Sequence, residues 1–340
     1  MARLTMQTFQ SFAARRLGRS VSIALVCMIA FAGVDGQTPT PRPISLLVPY
    51  PPGGVSDLLA RSIAPALAAA SGRPVVVENV SGGSGSVGAT RLLAGSADGS
   101  HILVGSPTET VLAPLAIRSL KYSSADFRLL ALIYTAPIAL YVRPELDARS
   151  VDDLARLASR PGARSLIYGS PGTGSIYHIV TERLRSALGI ETVHVPYRGG
   201  APMLQDLMAG TIDFTLLPQD NVLGALVDSG KLRMIGVTAA HRSDQRPQVP
   251  TFDESNGAKG FGHPSVWVGL FVSQAVPDSI TEQLHYTLSQ VLTQVPTRQT
   301  LEAAGGNVPI VMSLAEAAAF YAQEARSLQD MAKAANVQPN

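Results

Sequence analysis

The chain has 340 residues, 46% hydrophobic and 15% charged, with 27 Lys and Arg against 25 Asp and Glu and a single cysteine. Four of the cations, Arg3, Arg15, Arg16 and Arg19, precede an acid-free apolar run at 21–32, and without them the formal net charge falls from +2 to −2. A near-neutral chain excludes nucleic acid as the expected partner. Its lone Cys27 sits inside the apolar run, which excludes disulfides, thiol catalysis and cysteine metal sites from a mature form.

The first element is a leader. A basic segment, about twelve apolar residues and a small-residue site at Ala30-Phe31-Ala32 predict a cleaved signal peptide over 1–32, too short to span a bilayer, and hence a periplasmic protein. Arg15-Arg16 admits twin-arginine export, but Leu17-Gly18-Arg19 matches that signal loosely and ordinary Sec export fits better. Ala24-Leu25-Val26 lacks the pattern of a lipoprotein site before Cys27. A mature chain of roughly three hundred residues exceeds what one core serves, so two domains are expected. Abundant Ala, Val, Leu and Gly suit an α/β protein with buried parallel strands.

After a polar N-terminal stretch at 36–43, strand, Gly-rich turn and helix alternate. "ISLLVPY" leads through "PPGGVS" into a helix from 57 to about 70, with Leu58, Leu59, Ile63 and Leu67 on one face and a kink expected at Pro65. A strand at 74–79, a glycine turn and a helix to about 93 follow, then the strand "HILVGS". "IALYVRPEL" is the next strand, and Ser150 caps a helix at 151–158. "SLIYGS", "PGTG" and a helix at 175–188 repeat the layout of the first unit. "TVHVPY", "TIDFTLL" and "KLRMIGV" are further strands separated by helices, the pattern of an open parallel sheet. The polar stretch 241–264 reads as a crossover; "SVWVGLFV", with Trp267 in the core or on a cleft wall, precedes helices at 278–295 and 314–335. Apart from the two matching βα units there is no internal repeat.

Enzyme patterns fail when counted. Gly83-x-Gly85-x-x-Gly88 has the spacing of a dinucleotide turn, but residues 78–82 separate it from its strand. The next strand ends without a carboxylate, Asp98 lying before it and Glu109 beyond. A close-packed turn is the better reading. Gly-x-Ser-x-Gly, a phosphate loop at Gly230-Lys231 and His-Glu-x-x-His are all missing, so no catalytic residue, metal or cofactor is expected. What remains is "PYPPGGVSD" and "YGSPGTGSIYH", two turns that open helices, where unpaired amides and the helix dipole favour an anion. Ser56 and Ser175 stand where they can cap the two helices. If these N-termini face each other, they close on a short organic acid. Asp57, in the first helical turn, meets a ligand ammonium or only fixes its loop; His178 serves equally as a partner of the helix end or a ligand contact.

"VPYPPGGVSDLLARSIAPAL", "PVVVENVSGGSGSVGA", "YGSPGTGSIYH", "VHVPYRGGAPMLQDLMAGTIDF", "GKLRMIGVT" and "WVGLF", in order from 44 to 335, resemble the Bug family of periplasmic solute-binding proteins, receptors of tripartite tricarboxylate transporters. The resemblance implies an α/β, two-domain type II periplasmic-binding-protein fold of the Venus-flytrap kind. Each domain would be a mostly parallel sheet flanked by helices, with two interdomain crossovers: 38–141 with 259–340, and 142–258. It implies a monomer that captures a small carboxylate, such as a di- or tricarboxylate, an acidic amino acid or an aromatic acid, and delivers it to membrane permease subunits. On matching positions it assigns Pro52, Gly53, Gly54, Ser56 and Asp57 to one pincer loop and Gly172, Thr173, Gly174, Ser175 and His178 to the other. Ser106, Thr108 and Tyr197 would line the cleft. Pro218-Gln219 departs from the family pattern, and Glu109 is an acid beside a site for acids. The alternatives are an exported dinucleotide-dependent oxidoreductase and an orphan receptor that senses a ligand.

Overall fold

The computed structural model describes residues 42–162 and 164–334, within one compact unit, Arg42–Asn340. The expected signal peptide, with its arginines and Cys27, lies outside the described residues. In chain order the elements are β1 (Ile44–Val48), α1 (Val55–Ser71), β2 (Val75–Asn79), α2 (Ser86–Leu93), β3 (His101–Gly105), α3 (Ala113–Ala116), β4 (Phe127–Val142), α4 (Val151–Ala158), β5 (Leu166–Ser170) and α5 (Ile176–Leu188). Then come β6 (Thr192–Pro196), α6 (Gly200–Met208), β7 (Phe214–Pro218), α7 (Asn221–Asp228), β8 (Arg233–Val237), β9 (Ser265–Ser273), α8 (Asp278–Leu292), α9 (Val295–Glu302) and α10 (Leu314–Ala334).

The strands form one path, β2-β1-β3-β9-β4-β7-β5-β6, with β8 also on β4. β4 organises it. Its residues 127–137 pair antiparallel with β9, and its residues 138–142 pair antiparallel with β7 and β8. The sheet therefore has two halves of one pattern, β2-β1-β3-β9-β4 and β6-β5-β7-β4-β8, each with four strands in one direction and one opposed to them, β9 in the first half and β4 in the second. Because β9 opposes both β3 and β4, β4 leaves the first half running parallel to β1–β3; in the second half it opposes the strands beside it. The carboxyl ends of β1–β3 and of β5–β8 thus point toward each other across the passage of β4. Loops beyond carboxyl ends are where open α/β sheets bind ligands.

Burial explains the strands. β1 and β7 are buried at every position, as strands covered on both faces must be, while β2 and β6 at the edges are only half-buried. A main core runs through both halves, and a smaller cluster around Ala139, Met203, Leu207 and Leu217 fills the second half. Trp267 belongs to the core, its Nε1 donating to Glu324 at 3.0 Å.

Two local expectations change. α1 starts at Val55 because extended Gly54 is its N-cap; Ser56 falls inside the first turn and makes no capping bond. The buried stripe is Leu59, Ile63 and Leu67, whereas Leu58, one residue and about 100° around the helix from Leu59, is 38% exposed. As expected, α1 runs on past Pro65, to Ser71.

Candidate functional site

The turn after β1 offers backbone donors. Gly53 has φ +84°, a conformation that favours glycine, and it turns the chain so that Gly54 can cap α1. The amides of Gly54, Val55 and Ser56 have no acceptor among the described residues, and Pro52, Gly53 and Gly54 are exposed. Three unpaired N–H groups at the positive end of a 17-residue helix form an anion cradle. Asp57 holds this turn from beneath. Its buried carboxylate accepts from the Gly53 amide at 3.0 Å, Arg61 Nε at 3.0 Å and Asn79 Nδ2 at 3.0 Å. Burial pushes its pKa up, but the hydrogen bonds from Arg61 and Gly53 outweigh this and hold it below the usual carboxylate range. Asp57 is thereby spent on fixing the loop, and Asn79 joins in by donating to the Tyr50 carbonyl at 3.1 Å.

The turns after β2 and β3 pack beneath the same loop. A Cβ on Gly85 would come within 3.3 Å of Glu109 Oε2, and one on Gly88 within 2.9 Å of Pro49. The run Gly83-x-Gly85-x-x-Gly88 is therefore a close-packed turn whose space is filled by Glu109 and Pro49. The Glu109 carboxylate accepts from the Ser106 amide, from Ser106 Oγ at 2.8 Å and from the Tyr50 hydroxyl at 2.9 Å. It is fully buried without a basic partner among the described residues, and burial pushes its pKa up to about 7 against these hydrogen bonds.

The turn after β5 repeats the geometry of the first with other chemistry. Gly174 has φ +76°, Ser175 is the N-cap, and the Gly174 amide donates to His178 Nδ1 at 3.1 Å, as the Gly53 amide does to Asp57. Ser175 Oγ accepts from the His178 amide at 3.2 Å. His178 stacks on His194 with ring centroids 4.2 Å apart, and His194 on Tyr168 at 4.7 Å. Burial lowers the pKa of His178, and burial and then the His178 charge lower that of His194 to about 4.

This second turn is pressed against the first half. The Ile176 amide donates to Thr108 Oγ1 at 3.3 Å, and Ser84 Oγ donates to the Thr173 carbonyl at 2.8 Å. A Cβ at Gly172 would overlap Ser84 Oγ, and one at Gly174 would overlap the Ala116 methyl. Pro51 lies opposite Gly199. The candidates Gly172, Thr173, Gly174, Ser175, Ser106, Thr108 and the 52–57 loop thus meet at one face. The Tyr197 hydroxyl instead donates to Asp206 at 2.6 Å.

Sequence reasoning missed Asn79, Tyr50 and Ser84. Tyr50 and Asn79 end their strand segments, which is the available signal; Ser84 takes φ +54°, which no pattern of residue types announces. A groove of about 620 Å³ lies along the same face nearer the crossing strand, lined by Gln219, Asp220, Asn221, His241, Arg246 and Asn307. Its charged walls are largely engaged: Asp220 Oδ1 caps α7, and Arg246 pairs with Asp228 at 2.8 Å. The second glycine turn, by contrast, is closed against Ser84 and Ala116, while the first stays open around Gly53.

A family model described as tripartite tricarboxylate transporter family receptor matches residues 59–337. Rpa4515 of Rhodopseudomonas palustris with adipate is 30% identical with a TM-score of 0.80, over 88% of this chain and 99% of that one. MatC of the same organism with bound malate is 26% identical with a TM-score of 0.77, over 86% and 99%. The periplasmic binding protein BugD is 25% identical with a TM-score of 0.79, over 88% and 99%.

Proposed function

The chain belongs to the tripartite tricarboxylate transporter receptor family, which consists of solute-binding proteins and not of enzymes, and we propose that it captures a small organic dicarboxylate. The ligand sits between two lobes that meet where β4 crosses. In this reading the lobes are 38–141 with 259–340, and 142–258. The amides of Gly54, Val55 and Ser56 receive one carboxylate, and the loops after β3, β5 and β6 close over the remainder. A monomer, exported to the periplasm by its cleaved signal peptide, then presents the loaded site to membrane permease subunits. The observation that carries this reading is the run of three amides without acceptors among the described residues at the start of α1, behind the exposed turn of Pro52, Gly53 and Gly54. Adipate and malate on structural neighbours support the ligand class.

Val55→Pro tests it. Proline is well suited to the first position of a helix, and extended Gly54 tolerates a following proline, so the change deletes one N–H with little cost in folding. Titration calorimetry with adipate and malate is expected to show binding that weakens about ten- to hundredfold in the variant, the worth of one charge-assisted hydrogen bond. Equal affinities in the two proteins would remove this cradle from the site.

A further inference from the structure

The buried carboxylate of Glu109 sits beneath the cradle with no basic partner among the described residues, and its contacts decide what the neighbouring hydroxyls can offer. Ser106 Oγ and the Tyr50 hydroxyl both point their protons at Glu109 Oε2, at 2.8 and 2.9 Å, while Oε1 is held by the Ser106 amide. A hydroxyl whose single proton is engaged presents only lone pairs elsewhere. Tyr50 immediately precedes the turn into α1, and Ser106 lies two residues before Thr108, which reaches the Ile176 amide across the face. Tyr50 and Ser106 are half-buried residues just beyond the carboxyl ends of β1 and β3, where the proposed cleft opens. Gly85 and Gly105 make the arrangement possible, since a Cβ at either would crowd the Glu109 carboxylate.

We propose that Glu109 is a specificity-determining residue: by drawing the Ser106 and Tyr50 protons inward it makes the cleft floor a pair of acceptors, selecting dicarboxylates that carry a hydroxyl or ammonium donor beside the docked carboxylate. The inference rests on the carboxylate reading above and deepens it. Ser106 Oγ already accepts from the Thr108 amide at 3.2 Å, so a donor-free acid of equal length leaves its second lone pair and the Tyr50 oxygen without a donor and brings its charge toward that of Glu109, and an unpaired buried polar group is what makes a site reject an analogue.

The surroundings add no competing charge. Tyr50 faces Glu109 from the turn before α1, the Tyr122 hydroxyl bonds its backbone carbonyl at 2.7 Å, and Tyr177 from α5 and Tyr321 from α10 complete the titratable neighbours, with Asp126 near Tyr321. With its pKa raised to about 7 by burial, Glu109 becomes protonated on mild acidification, and its own O–H then releases one neighbouring hydroxyl to donate outward. Selectivity for donor-bearing acids should therefore weaken from pH 8 to pH 6.

Malate and succinate, which differ only by the 2-hydroxyl, make the test, titrated into the mature protein and into Glu109→Gln at pH 8. The expected result is a malate preference of tenfold or more in the parent protein that falls by at least tenfold in the variant, whose side-chain amide no longer collects both protons. Ser106→Ala, which keeps Glu109 and removes one acceptor, should lower the same preference and serves if Glu109→Gln does not fold. An unchanged malate-to-succinate ratio in a folded variant overturns the role of Glu109 and leaves the receptor reading intact. Binding of neither acid to the parent protein overturns the carboxylate reading and this inference with it.

Discussion

The turns before α1 and α5 share one backbone plan and differ in what that plan leaves available. In each a left-handed glycine, Gly53 or Gly174, precedes the N-cap, and a side chain four residues on, Asp57 or His178, accepts its amide. The first turn is exposed and caps with glycine, so three amides stay unpaired; the second is buried, caps with serine and has given its Ile176 amide to Thr108. A shared motif therefore does not make a shared role. In the proposed reading the first turn receives an anion, while the second docks against the first half of the sheet.

The sharpest way to break that distinction is to add one methyl to each glycine. Gly53→Ala has open space around its Cβ and meets only the backbone cost of a left-handed residue, about 1–2 kcal/mol. Gly174→Ala carries the same cost and also drives a methyl into Ala116, so a total of about 3–4 kcal/mol is expected, together with at least tenfold weaker ligand binding as the contact between the halves opens. Urea unfolding and ligand titration of the pair measure both effects. Equal losses would mean that the second turn is not a docking surface.

Acid sharpens the comparison from the side-chain end. His194, stacked on His178, has a native pKa of about 4, below its ordinary value of 6.5, so its contribution is present above pH 6.5 and lost as pH falls toward 4. Asp57 is also depressed, but from the carboxylate range, so the first turn keeps its contribution until below about pH 3.8. The second turn should loosen first. Allowing for its partial exposure, His194 contributes on the order of 1–2 kcal/mol to this loss. Melting curves between pH 7 and pH 4 should therefore fall less steeply for His194→Gln than for the parent protein; parallel curves would show that the stacked pair does not set the acid limit.

How far such distinctions were legible in the sequence depends on the element. The βα alternation and both glycine turns were, because each rests on local signals: apolar strands of about five residues followed by Gly and Pro. β4 was legible only at its end. Its stretch 127–137 is an almost unbroken apolar run ending in Pro137, and pairing with β9, more than a hundred residues later, decides its length. α9 was missed: the helix expected at 278–295 ends at Leu292, and Pro296 occupies the first turn of a new helix. At the site, the candidate residues were legible but their roles were not. Asp57 and His178 look alike as polar residues one turn into a helix, and only the positions of Asn79, Arg61 and His194 show that each braces its turn.

The smallest effect isolates the two serines. From spacing alone Ser56 and Ser175 look equivalent, yet Gly54 is the residue that caps α1, while Ser175 caps α5 by accepting the His178 amide at 3.2 Å. Truncating a working cap leaves an unpaired amide in a buried place, and Ser175 is 2% exposed, so Ser175→Ala should cost about 1–2 kcal/mol. Ser56→Ala removes no capping bond and should stay within about 0.5 kcal/mol. Chemical denaturation of both variants reads the difference. Ligand affinity adds a second check, because the Ser56 backbone amide, unlike its hydroxyl, belongs to the cradle and survives the change. A large loss of affinity in Ser56→Ala would show that the hydroxyl itself reaches the ligand and that the first turn binds with more than its backbone.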